Sequence, residues 1–355
     1  MVEEQSMIFI MGLSGSGKSR FVNLLQRDSV REGAGLESET QECQIVQLCL
    51  GNKLVSVVDT PGFGDSQRTD AEILAIISDF LILQHTAGFK LCGVIWLHGI
   101  EQQRMRLSDE QALIMFQDIC GKEGLSSVTL LTTKWDTLHD ERTGAMRERT
   151  LRRKYWKDMV NSGATAQRFD GSQGMAKAII RRIMRNDGVV LQIQKDSMEK
   201  GKRLRDTAAG VRIVQELEGH LRQQEDKVRK MEWELRSVGD ASNHTATQAL
   251  QQRYEAETRE QERLRSTCRR MNADLGEEMV EKWGEALMAA QPDRMSDSET
   301  DAKPEAASQD AKSETKKRTG PDGKWKGRIS AFASVLGLTL NAVVHIILPL
   351  AGVAI

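Results

Sequence analysis

The chain has 355 residues, 39% hydrophobic and 28% charged, more than one ordinary core needs, so two domains or one domain with extensions are expected. Its formal net charge of −1 excludes a general basic field for nucleic acid, and any electrostatic partner must be met locally. The five cysteines, Cys43, Cys49, Cys92, Cys120 and Cys268, are scattered without a CxxC pair, which points to a reducing compartment and away from a disulfide framework or a zinc site.

Val2 to Ser6 are polar or acidic, and the apolar run Met7–Met11 is too short for a secretory signal core; it reads as a first strand. A Gly-rich loop and a helix through Phe21, Leu24 and Leu25 follow. Cys43–Leu50 and Leu54–Asp59 are strands joined by Gly51-Asn52-Lys53, a link too short for a crossover helix, so they should form an antiparallel hairpin. Leu91–Leu97 and Ser127–Thr133 are buried-type strands separated by helical patterns. A last strand is expected near Ala164–Phe169, with a helix around Met175–Met184. Residues 7–186 therefore predict an α/β domain with a mostly parallel, doubly wound sheet and one antiparallel strand.

Residues 187–290 predict a helical, coiled-coil stalk. Val214, Leu217, Leu221, Gln224, Val228, Met231, Leu235 and Val238 step by three and four as a heptad seam. The run stops at Gly239–His244, a turn-favouring stretch, and a second seam runs through Leu264, Cys268, Met271, Leu275 and Met279. The two seams would fold back as an antiparallel hairpin, pack on the first domain, or pair with another chain. Residues 291–328 have almost no apolar content and read as a disordered linker. Residues 329–355 carry no charged side chain, and Ile329–Leu348 is long enough to span a bilayer before Pro349. Lys324, Lys326 and Arg328 precede it with Trp325 as an interfacial anchor. The expectation is a C-terminal transmembrane tail anchor with the G domain in the cytosol; the alternative is a cytoplasmic protein in which the segment is a buried C-terminal helix or an amphipathic docking helix.

Three motifs carry chemistry. GLSGSGKS, Gly12–Ser19, fits GxxxxGK[ST] between a strand and a helix. Gly12, Gly15 and Gly17 let the backbone curl so that the amides of this loop, Ser14 and Ser16 among them, face phosphate oxygens. Lys18 would neutralise the terminal phosphates and the Ser19 hydroxyl would bind Mg²⁺. DTPG, Asp59–Gly62, ends the third strand: Asp59 would hold Mg²⁺ through water and the Gly62 amide would reach the γ-phosphate. TKWD, Thr133–Asp136, fits the base-reading motif [NT]KxD. The Asp136 carboxylate can accept from the guanine N1–H and 2-amino group, a donor pair adenine lacks. The Lys134 stem would cover the purine face, and Thr133 stands where Asn is commoner. Between the first two motifs, Thr40 is the candidate switch ligand to Mg²⁺, with Ser38 as the alternative. Arg168–Ser172 should offer backbone amides to the guanine oxygen.

In the order GLSGSGKS, SETQEC, DTPGFGD and TKWDTL, residues 7–186 resemble the septin-like branch of the TRAFAC P-loop GTPases, especially the immunity-associated (AIG-type) G domains. The resemblance implies a Ras-like fold, GTP and GDP as ligands with Mg²⁺, and activation by dimerisation across the nucleotide face. One departure bears on hydrolysis: Phe63 follows Gly62 where Ras-type proteins carry a water-positioning Gln, so no catalytic residue is assigned and turnover should be slow in a monomer. His98, Arg104 and Arg106, just after the fourth strand, are candidate interface residues. The reading is a membrane-tethered switch or assembly GTPase that self-associates through the G domain or coiled coil and has no nucleic-acid partner, or else a nucleotide-binding scaffold with negligible turnover.

Overall fold

The computed structural model describes residues 6–27, 29–30, 43–51, 53–237 and 244–289. Thr40 and Ser38, the linker 291–328 and the apolar segment 329–355 lie outside the described residues. Among the described residues, no helix is long and apolar enough to cross a membrane.

The first half alternates strands and helices: β1 (Ser6–Gly12), α1 (Lys18–Leu25), β2 (Gln44–Leu50), β3 (Lys53–Asp59), α2 (Asp70–Thr86), β4 (Lys90–Gly99), α3 (Leu107–Gly124), β5 (Val128–Thr133), α4 (Glu141–Thr150), α5 (Lys157–Asn161), β6 (Thr165–Arg168) and α6 (Gln173–Ile183). The six strands form one sheet in the order β2-β3-β1-β4-β5-β6. β2 runs antiparallel to β3, as the short Gly51 link requires, and the other pairs are parallel. Because β1, β3, β4 and β5 run the same way, Gly12, Asp59, Gly99 and Thr133 emerge at one edge of the sheet. In open α/β sheets that edge is where ligands sit.

β1 separates the two core layers by simple alternation. Ile8 and Ile10 face α1 and α6, packing with Phe21, Val22 and Ile180. Phe9 faces the other way and meets Phe80 of α2 edge-on at 5.3 Å. On that second face Trp96 is sandwiched between Phe63 and Phe116, and all three are almost fully buried.

α2, DAEILAIISDFLILQHT, is apolar around most of its circumference, and twelve of its seventeen residues are buried. Such a helix needs cover on two sides. The sheet supplies one side. The other comes from the helical region, where α8 (Ala208–Ser237) and α9 (His244–Asn272) pack on each other and on α2. Gln224 Nε2 reaches Glu257 O at 3.0 Å, Arg265 Nη2 pairs Glu225 at 2.9 Å and Arg205 Nη1 reaches Asn272 at 2.7 Å, which fixes the two helices as antiparallel. Of the open alternatives, the seams thus close as an antiparallel hairpin within the chain and on α2.

Two details differ from the sequence reading. The second seam does not run unbroken through Leu275 and Met279: α9 stops at Asn272, and the Asp274 carboxylate caps α10 (Leu275–Ala289) through Glu277 N–H at 3.4 Å. The stretch after residue 186 is not yet hairpin. Leu191, Ile193 and Leu204 are buried, a short helical segment α7 (Gln192–Gln194) packs on α3 and α2, and buried Gln194 donates to Leu81 O at 2.6 Å and Gln84 Oε1 at 2.9 Å. The described residues up to Met279 form one compact unit, and Val280–Ala289 are the described part of a second.

Candidate functional site

The loop between β1 and α1 has the backbone its glycines allow. Gly15 (φ 73°) and Gly17 (φ 93°) are left-handed, and a Cβ at Gly12 would strike Leu97 O. Gly17 caps α1, so the free amides and the positive helix end face the space above the loop. The neighbouring DTPG loop is tied to this one by main-chain bonds. Ser14 N donates to Phe63 O at 2.8 Å and Phe63 N to Gly12 O at 3.2 Å. Thr60 Oγ1 anchors the same loop to Ile10 O at 2.8 Å. A Cβ on Gly62 would lie 2.6 Å from both Lys18 Nζ and the Ser14 backbone, so only glycine lets the two loops approach.

Lys18 is almost fully buried and donates to Leu13 O at 2.9 Å and Gly12 O at 3.4 Å. Burial pushes its ammonium down to about 8, against the raising influence of Asp59 and Asp65. A desolvated cation held by carbonyls alone is a receptor for anionic oxygens. Ser19 Oγ donates to Asp59 Oδ2 at 2.8 Å, so the hydroxyl and carboxylate expected to serve Mg²⁺ already share one point beside Lys18. Hard oxygen donors of this kind fit Mg²⁺. The Ser16 hydroxyl, buried in the loop, has no hydrogen-bond partner among the described residues.

The base-side motif converges on the same edge. Thr133 Oγ1 donates to Ser16 O at 2.7 Å, which ties the phosphate loop to the end of β5. Thr133, standing where Asn is commoner, thus fastens the two loops together through its hydroxyl. Lys134 is the one non-glycine with positive φ among the described residues (59°), and its Nζ pairs Glu101 at 2.7 Å. Asp136 is exposed and meets Arg20 at 3.0 Å. A pocket here is lined by Gly17, Arg20, Phe21, Lys134, Asp136 and Phe169 among others, so the loop after β6 does reach the base side. Arg20 and Glu101 escape sequence reasoning because no motif marks them.

Two candidates land elsewhere. His98 is buried and edge-on to Trp156 at 6.2 Å, so it is not an interface side chain. Desolvation pushes its imidazole down to about 4, opposed by Asp109. Phe63 is fully buried against Trp96 and turns away from any attacking water. Arg104 and Arg106 are exposed at the same edge of the sheet. Of the cysteines, Cys43, Cys92 and Cys120 are buried and Cys49 is exposed, and none forms a disulfide among the described residues.

Comparison with known proteins agrees with the motifs. Residues 6–154 match the AIG1 family model, so the resemblance to immunity-associated G domains holds across that stretch. No curated protein matches. Similar solved structures include Toc33 from Arabidopsis thaliana in complex with GDP and Mg²⁺, 18% identical over 54% of this chain and 88% of that one, with a TM-score of 0.42. The GMPPNP and Mg²⁺ complex of Toc33 is 16% identical over 52% and 88%, also at 0.42. Era from Aquifex aeolicus, bound to GDP and AlF₄⁻, is 13% identical over 52% and 58%, at 0.37.

Proposed function

We propose that this chain is a guanine-nucleotide switch: a membrane-tethered GTPase that turns GTP into GDP and phosphate slowly alone and faster when self-associated. The observation that carries the reading is the meeting, at one sheet edge, of buried Lys18, the Ser19–Asp59 pair and the base-reading Asp136. Lys18 and the amides of the phosphate loop take the phosphates, except those of Ser14 and Ser16, which are already given to Phe63 O at 2.8 Å and Leu13 O at 3.1 Å. Ser19 and Asp59, with Thr40 from the loop before β2, would hold Mg²⁺, which supplies neutralisation of charge on the phosphate oxygens. Gly62 would offer its amide to the γ-phosphate, and the main-chain bonds from Phe63 would pass its presence to the phosphate loop.

With Phe63 buried, the position that carries a water-positioning Gln in Ras-type proteins offers no polar group. A second copy docked on the nucleotide face would bring one, and Arg104 and Arg106 are exposed there to meet it. Residues 329–355 would anchor the protein with its G domain in the cytosol. The buried Phe63 equally favours a second reading, a nucleotide-loaded membrane scaffold without appreciable turnover. Turnover measured over a range of protein concentrations, with sizing in each nucleotide state, separates the two. Specific activity that climbs with concentration supports the switch; a flat zero in monomer and dimer alike supports the scaffold.

A further inference from the structure

A concentrated basic surface lies away from the nucleotide edge. Residues 147–185 contain eleven lysines and arginines against three acidic residues, in a chain whose net charge is −1. The structure gathers this excess around α4, α5 and the free edge of β6. Met146, Arg149, Arg153, Lys157 and Val160 follow one another at spacings of three and four, which puts them on one helical face. A π turn at Leu151–Tyr155, closed by Trp156 N to Leu151 O at 2.8 Å, carries the row from α4 into α5. Leu151, Trp156 and Met159 point inward instead and are buried.

The outer row is exposed along its whole length. Its ends are apolar, with Met146 67% and Val160 37% exposed, and its middle is three cations. Arg149, Arg153 and Lys157 have no ion-pair partner among the described residues. The charge then continues around the sheet edge. Arg152 reaches Ala166 O at 2.8 Å from one side of β6, and Arg182 reaches Gln167 Oε1 at 2.7 Å from the other, followed by exposed Arg185. The acids nearby do little to cancel this. Glu148 is held by Arg152 and Arg168, which leaves exposed Asp158 and, on the loop after β6, Asp170.

We propose that this face docks on an anionic lipid surface. Cations flanked by exposed aliphatic side chains suit a leaflet, where the charges meet headgroups and the aliphatic tips enter the boundary with the acyl chains. Single-stranded nucleic acid would instead need exposed aromatic rings for base stacking. The rings on this face do not offer that: Trp156 is buried, and the half-buried Tyr155 ring is covered by Lys154 at 4.6 Å. Such docking would lay the G domain along the membrane with its nucleotide edge open. It does not depend on the C-terminal apolar segment, which would insert with little regard for lipid charge.

The test is sedimentation of the full chain with phosphatidylcholine vesicles, with and without about one-third phosphatidylserine. The serine lipid should raise binding by about tenfold or more, and the increment should vanish as salt rises. The variant R149E/R153E/K157E/R185E should lose the increment while keeping GDP affinity and thermal midpoint; R149Q/R153Q/K157Q/R185Q serves the same purpose if the reversal disturbs folding. R149K/R153K/R185K should keep it. Binding to neutral vesicles reports the tail separately, so loss of one property does not mimic loss of the other. Equal binding to both vesicles, retention of the increment by the charge-reversed variant, or capture of an RNA oligonucleotide without any response to the serine lipid would overturn the proposal.

Discussion

Lys18 shows how function is stored as local cost. Its ammonium sits among carbonyl oxygens, pushed down to about 8 by desolvation. Replacement by methionine should abolish nucleotide binding and yet stabilise the nucleotide-free protein, by about 1–4 kcal/mol, because desolvation of the ammonium outweighs its attraction to Asp59 and Asp65. Calorimetric affinity and thermal unfolding of the same variant check both halves. The pH dependence has a definite sign. Phosphate favours the charged form, so binding raises the Lys18 pKa and takes up a proton when the solution is above about 8. Affinity should be full below that pH and fall above it, with proton uptake visible as a buffer-dependent binding enthalpy. His98 works the other way on stability. Its folded pKa of about 4 lies below the unfolded value, so its contribution is present above the usual histidine range and lost as pH falls through about 4. His98→Leu should flatten the acid limb of the stability profile.

At the level of elements, the strands and motif loops were legible because their chemistry restricts residue choice. Gly12, Gly17 and Gly62 occupy positions where a side chain would collide or a left-handed backbone is needed, and Asp59 and Thr133 stand at strand ends that the parallel order aligns. The seams of α8 and α9 were legible as helices but not in their partner, because a heptad pattern records that a face is buried and not by what. The unusual apolarity of α2 was the missing clue: it demanded cover, which the hairpin and α7 supply. The segment around Gln194 escaped notice because its burial rests on satisfied polar groups. The hairpin is also tied electrostatically. Arg270 forms a two-pronged pair with Asp79 of α2 at 2.8 Å and meets Glu278 at 2.6 Å, in a partly buried setting. Arg270→Ala should cost on the order of 1–3 kcal/mol and raise amide exchange in α9 and α2 before it does so in β1.

Among the described residues up to Met279, the helical hairpin and the nucleotide loops belong to one compact unit. Arg263 of α9 donates to Gln67 O at 2.5 Å, in the loop that begins with Gly62, and also meets Glu72 at 3.3 Å. The loop that would respond to the γ-phosphate thus leans on the hairpin, and nucleotide exchange should alter amide protection at both. Everything in this reading depends on a guanine base reaching Asp136. Isothermal calorimetry of the wild-type chain and Asp136→Asn against GDP, ADP and XDP tests that dependence directly. An asparagine there swaps one acceptor for a donor, which mismatches guanine and matches the 2-oxo group of xanthine. The expected result is strong preference for GDP over ADP in the wild type, and in the variant a loss of GDP affinity of about a hundredfold with a gain for XDP. Equal affinity for GDP and ADP, or an Asp136→Asn protein that binds GDP unchanged, would contradict the assignment.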